Sequence, residues 1–147
     1  MKYYTYDEMF FAIQQAKDKI NDLTNSCKEY TRGTNDCFAL IAEYDLNLRG
    51  KTKARDIVKL PYKNFKDWYV KLIRLNYTPE SYAEYCGYEI VKNKKAKLGD
   101  IAFDSGVAIH AGDFWLTTNE QNKGTENKRQ TFFLETKIPL IARPVRN

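Results

Sequence analysis

The stretch "SYAEYCGYEIVKNKKAKLGDIAFD", residues Ser81–Asp104, decides the fold class. Before Gly87, apolar residues recur every three or four positions. After it they fall into short runs rich in β-formers, "GYEIV" and "DIAFD", parted by lysines and glycine. A period near 3.6 fits helices and a period of two fits strands, so the chain changes structure at this glycine.

Working upstream, Met9, Phe10, Ile13, Ala16, Ile20 and Leu23 repeat at helical spacing, which predicts an amphipathic helix over roughly Tyr6 to Leu23. A second helix is expected from Asp36, a residue type that favours N-caps, to Gly50, with Leu40, Ile41, Tyr44 and Leu48 buried. "KTKARDIVKLPYKN" reads as a connection with a short extended piece at Ile57 to Leu60. A third helix follows Asn64, with Phe65, Trp68, Tyr69, Leu72, Ile73 and Leu75 in phase. Thr78-Pro79 starts a fourth that stops at Gly87. Downstream, "GVAIHA", "DFWLTT", "TFFLET" and "IARPVR" add strands to a meander. Asn119 to Gln130 is wholly polar and is expected to be a mobile loop. Helices first and strands second predict an α+β domain over 1–147, mainly helical over 1–87 and mainly strand over 88–147, with an antiparallel sheet of about five strands.

The chain has 147 residues, 43% of them hydrophobic and 14% aromatic, which suits a folded core. Its net charge of +5 is spread along the sequence, with no basic helix or RNA-binding signature, so nucleic acid is not an expected partner. The single histidine and the absence of a CxxC pair give no zinc spacing, and no metal or cofactor is expected. No run approaches the roughly 20 apolar residues of a membrane span. Asp7 and Glu8 interrupt the N-terminus where a signal peptide needs an apolar run, so synthesis in the cytoplasm without a signal peptide is expected.

Chemistry concentrates in "YTRGTNDCFAL", Tyr30–Leu40. Cys37 falls at the start of the second helix, where backbone N–H groups lower a thiol pKa and can hold an oxyanion. A packed, inert thiol is the competing reading, since cysteine is among the most buried residue types. Asp36 serves more simply as a helix cap than as a catalytic group, and Asp100 as a turn residue.

Tyr30, Gly33, Asp36 and Cys37 are similar to the first motif of the NlpC/P60 family of papain-like thiol hydrolases. "KKAKLGDIAFDSGVAIHAGDFWLTTNE" resembles its second half, with Gly99, Asp100, Ile101, Phe103, Val107, Ile109, Gly112 and Asp113 in place. The spacing most resembles the short single-domain members encoded by bacteriophages. The resemblance implies a papain-like fold and an ancestral action on peptidoglycan peptides. Cys37 would be the nucleophile and His110 the base, with the backbone around Asp36 and Cys37 as the oxyanion hole. Thr117, Thr118 or Asn119 would be the third polar residue.

One departure stands out. The family's histidine position corresponds here to Gly106 or Ser105, and the only histidine, His110, stands four residues on from Gly106. Along a strand that is a displacement of roughly 13 Å, against a reach of about 3 Å for a general base. The expectation is therefore a phage virion-associated structural protein, of the tail or the internal virion, with a degenerate site and other virion proteins as partners. Tyr3, Tyr4, Tyr6 and the Phe114-Trp115 strand are its candidate contact aromatics. The alternative is an active cysteine peptidase or amidase that cleaves peptidoglycan peptides during entry or lysis.

Overall fold

A computed structural model describes residues 2–27, 37–54, 65–92, 95–103, 107–118, 125–129 and 140–146. Among the described residues four helices precede six strands: α1 Tyr6–Cys27, α2 Cys37–Arg49, α3 Phe65–Arg74, α4 Pro79–Tyr85, β1 Tyr88–Ile90, β2 Ile101–Phe103, β3 Val107–His110, β4 Phe114–Thr118, β5 Thr125–Arg129 and β6 Leu140–Pro144. The change of period at Gly87 is thus the change from helix to sheet, and the class is α+β.

Local chemistry accounts for the helix starts that can be described. Thr5 and Glu8 form a reciprocal cap on α1: the Glu8 N–H donates to Thr5 Oγ1 and the Thr5 N–H to Glu8 Oε1. Thr78 and Ser81 do the same for α4, with Pro79 in its first turn. Asp36, the expected cap of α2, lies outside the described residues.

The six strands run in the order β1-β6-β2-β3-β4-β5, every neighbouring pair antiparallel. β6 therefore inserts between β1 and β2, while β2, β3 and β4 form a meander. Alternation divides the side chains between two faces. Ile101, Phe103, Val107, Ile109 and Leu116 join the main core with the helices. Ala102, Ala108, Trp115 and Ile141 form a smaller cluster on the other face, with Val91.

α2 runs through the middle of the main core, between α1 and strands β3 and β4. Its burial extends beyond the expected stripe to Phe38, Ala39, Ala42 and Asp45, because it has neighbours on several sides. Phe38 stacks on Trp68 of α3 at 4.3 Å, and Trp68 meets Tyr82 of α4 edge-on at 5.3 Å. These rings tie the short helices to α2.

Three expectations shift. Phe10 is exposed, and Ala12 takes the buried position on α1. On α3 Trp68 and Leu72, one turn apart, are fully buried, while Tyr69 and Ile73, and Leu75 just after the helix, are exposed. Finally, β5 lies inside the polar stretch read as a loop. It pairs with β4 from Phe114↔Arg129 to Thr118↔Thr125, and Asn21 of α1 holds its first residue. Backbone pairing needs no apolar side chains, so composition hid this strand. "TFFLET" and Ile57 to Leu60 lie outside the described residues.

Candidate functional site

Cys37 is the first residue of α2, as its sequence position suggested. It is half-buried and packs against the main core. Tyr30, Gly33, Asp36, Ser105 and Gly106 lie outside the described residues.

His110 closes β3. Alternation along the strand sets Val107 and Ile109 on the helix-covered face and sets Ala108 and His110 on the opposite face. The imidazole packs edge-on against Trp115 of β4, its register partner, with ring centroids 5.0 Å apart. Its Nδ1 accepts from the Gly112 N–H at 3.3 Å. A neutral imidazole that accepts at Nδ1 carries its proton on Nε2, so its lone pair is already engaged. Alternation thus sets His110 on the face opposite the one that joins the main core, the core against which Cys37 packs.

The third-residue candidates fare similarly. Thr117 shares the Trp115 face by alternation, and its hydroxyl donates to the Val107 carbonyl at 2.8 Å. Thr118 falls on the Leu116 face, and Asn119 lies outside the described residues. Among the aromatics proposed for contacts, Tyr4 and Trp115 are buried, so they belong to the packing and not to a surface. Tyr3 and Tyr6 are exposed.

The Gly-Asp pair has a structural task. Asp100 is fully buried and takes both ends of the Arg143 fork, Nε to Oδ1 and Nη2 to Oδ2, each at 2.9 Å. Its Oδ2 also accepts the Lys97 N–H at 2.8 Å, the expected turn bond. This pairing raises the Arg143 pKa. The preceding Gly99 has φ +92, and its carbonyl accepts from Tyr44 Oη of α2 at 2.9 Å. The motif thus fastens the entry of β2 to both β6 and α2.

The most unusual electrostatics lie at the other end of α2 from Cys37. Asp45 is fully buried, and burial pushes its carboxyl up to about 6 despite a hydrogen bond from Tyr88, the charge of Arg49 and a bond from Thr52. Tyr88 Oη donates to Oδ1 at 2.5 Å and Thr52 Oγ1 to Oδ2 at 3.0 Å. Arg49, one turn on, has Nη2 3.7 Å from Oδ1. Burial pushes the Tyr88 and Tyr44 hydroxyls well above their ordinary range, with the Asp45 charge adding to the effect. Asp45 and Arg49 share the helix face of Ile41, an i, i+4 pattern that was readable in "IAEYDLNLR".

Two cavities are described near α2. One, of about 10 Å³, lies among apolar residues including Phe38, Ile41 and Phe103, with room for no substrate. The other, about 170 Å³, is bordered by Arg49, Lys51, Lys53, Glu84, Cys86 and Gly87, among others. Among the described residues, no cluster of three His, Cys, Asp or Glu could hold a metal ion, and no helix is long and apolar enough to cross a membrane.

Comparison with models of known protein families finds no match to this chain. A search of curated proteins likewise finds none that matches.

Proposed function

We propose that this chain is a structural, virion-associated protein of a bacteriophage, in the tail or the internal virion, with an NlpC/P60-like fold and a degenerate thiol-hydrolase site. The observation that supports a loss of chemistry is the placing of His110 on the Trp115 face of the sheet, opposite the face that joins the main core. A thiol hydrolase needs its base within hydrogen-bond reach of the sulfur. His110 is instead engaged by Gly112 and Trp115. The resemblance of "YTRGTNDCFAL" and "KLGDIAFD" to the family supports the fold and the phage setting. An α+β arrangement with a cysteine at a helix start, followed by an antiparallel sheet, agrees with it.

Tyr3 and Tyr6, 39% and 62% exposed, are the contact residues this reading retains. Tyrosine suits such a role because it contributes large area at small entropic cost. The test is mass spectrometry of purified particles, with Tyr3→Ala/Tyr6→Ala as the variant. The expected result is a stoichiometric virion component whose incorporation falls in the variant, with no cell-wall cleavage by the isolated protein. Absence from particles, together with lysis of cell walls, overturns the reading. That outcome establishes the second reading, an active peptidoglycan peptidase, which the position of Cys37 at the first residue of α2 favours.

A further inference from the structure

The C-terminal end of α2 holds an arginine that joins both ends of the chain. Arg49 Nη1 donates to the carbonyls of Gly87 at 3.4 Å and Val145 at 3.3 Å. Its guanidinium lies over the rings of Tyr4 and Tyr88, at 5.7 and 5.3 Å. The N-terminal segment, the start of β1 and the residue after β6 therefore meet on one side chain. Gly87 must be glycine for this approach, since a Cβ there would lie 2.2 Å from Nη1.

Only one nitrogen of this arginine is hydrogen-bonded among the described residues. Its side chain is only 6% exposed, yet Nε and Nη2 have no hydrogen-bond partner among the described residues. A buried guanidinium with open donors is costly. What compensates it is the Asp45 carboxylate, at 3.7 Å. Beside it is the open cavity of about 170 Å³, which Arg49 itself borders.

We propose that Arg49 is an acid-released latch: protonation of Asp45 cancels the charge that holds the guanidinium, which turns into the adjoining cavity and frees the two chain ends from α2. One proton is taken up, on Asp45. The neutral carboxyl keeps its bonds with Tyr88 and Thr52, because a protonated oxygen can donate to the Thr52 hydroxyl where the ionised one accepted. Only the attraction to Arg49 is lost, and an uncompensated buried charge moves toward water. The charged and titratable groups facing Asp45 are Arg49 and Tyr44 from α2 and Tyr88 from β1. Lys51, Lys53 and Glu84 rim the cavity. Both tyrosines stay neutral through the acid range, since their hydroxyls are shifted upward. Burial holds the Asp45 carboxyl near 6, which puts the release in mild acid.

The test is amide hydrogen exchange on the intact chain at about pH 7.5 and about pH 5, corrected for intrinsic rates. The Val145 N–H bonds to the Gly87 carbonyl at 3.0 Å and the Arg146 N–H to the Lys2 carbonyl at 2.8 Å, so both report the fastened ends. Their protection should fall about ten-fold or more on acidification, while that of Ile109, in the middle of the sheet, holds. Asp45→Asn should show low protection at both pH values. Equal protection of Val145 at both pH values, a loss shared by Ile109, or a pH step that survives in Asp45→Asn overturns the latch. The wild-type profile decides alone if the variant does not fold.

Discussion

At the scale of single residues, Asp45 is the one whose environment makes the sharpest statement about stability. Its folded pKa of about 6 lies above the ordinary 3.8. The fold therefore binds a proton that the unfolded chain has already lost between these values, and stability falls as pH rises through that window. The size is on the order of 3 kcal/mol. Asp45→Asn keeps a neutral acceptor for Tyr88 and should flatten this slope. Urea midpoints measured across the window check it; an unchanged slope refutes it. Glu8 and Glu89 act in the opposite sense, because hydrogen bonds from Thr5 and Lys2 respectively hold them below their ordinary range. What they contribute is lost below their ordinary pKa as pH falls. A second residue-scale expectation concerns Gly99. An added Cβ would lie 2.3 Å from Met9 Sδ and 2.9 Å from Tyr44 Oη at a φ of +92. Gly99→Ala should cost about 2–4 kcal/mol, read as a lowered thermal midpoint. The glycine was legible as part of a Gly-Asp entry to a strand. Its true constraint, the approach of α1 and α2 side chains, was not, because those contacts span most of the chain.

At the scale of elements, sequence periodicity located what packing decides and missed what backbone pairing decides. The four helices were visible because each must bury a stripe, and α2 and α4 also carry start or stop residues that can be read directly. The phase of α3 was overread: Tyr69 and Ile73 keep the period yet remain exposed, while Trp68 and Leu72 are buried in the main core. β5 gave no apolar signal. Outermost among the described strands, it is fastened to β4 by the backbone and to α1 by Asn21, whose Nδ2 donates to Thr125 Oγ1 at 3.1 Å and whose Oδ1 accepts the Thr125 N–H at 2.9 Å. An edge strand of polar residues depends heavily on such clamps. Asn21→Ala removes both bonds and should weaken local closure of β5 by about 1–2 kcal/mol. Amide exchange over Thr125–Arg129 should then accelerate roughly ten-fold while β2 and β3 hold. Equal exchange in variant and wild type would show that β5 rests on pairing with β4 alone.

At the scale of the whole molecule, the sheet is a partition. Its helix-covered face carries Val107, Ile109 and Leu116, part of the core against which Cys37 packs, and its other face carries Ala108, Trp115 and His110. Period-two alternation makes the face of His110 legible in "GVAIH". The side on which Cys37 packs was not legible, because it depends on how α2 docks. A dyad across such a partition would require the strand to shift by an odd number of residues, which would invert every side chain of β3 and expose Val107 and Ile109. The two residues should therefore behave as independent groups. Alkylation of Cys37, followed by peptide mass spectrometry to separate it from Cys27 and Cys86, should show a single inflection governed by the helix terminus. In His110→Gln that profile should superimpose on the wild type, within about a factor of two in rate at each pH, even though loss of packing on Trp115 lowers overall stability. Circular dichroism of the variant ensures that the comparison is made on folded protein. An inflection displaced by about one pH unit or more would mean that the imidazole reaches the sulfur, and the chain would then carry a working thiol–imidazole pair.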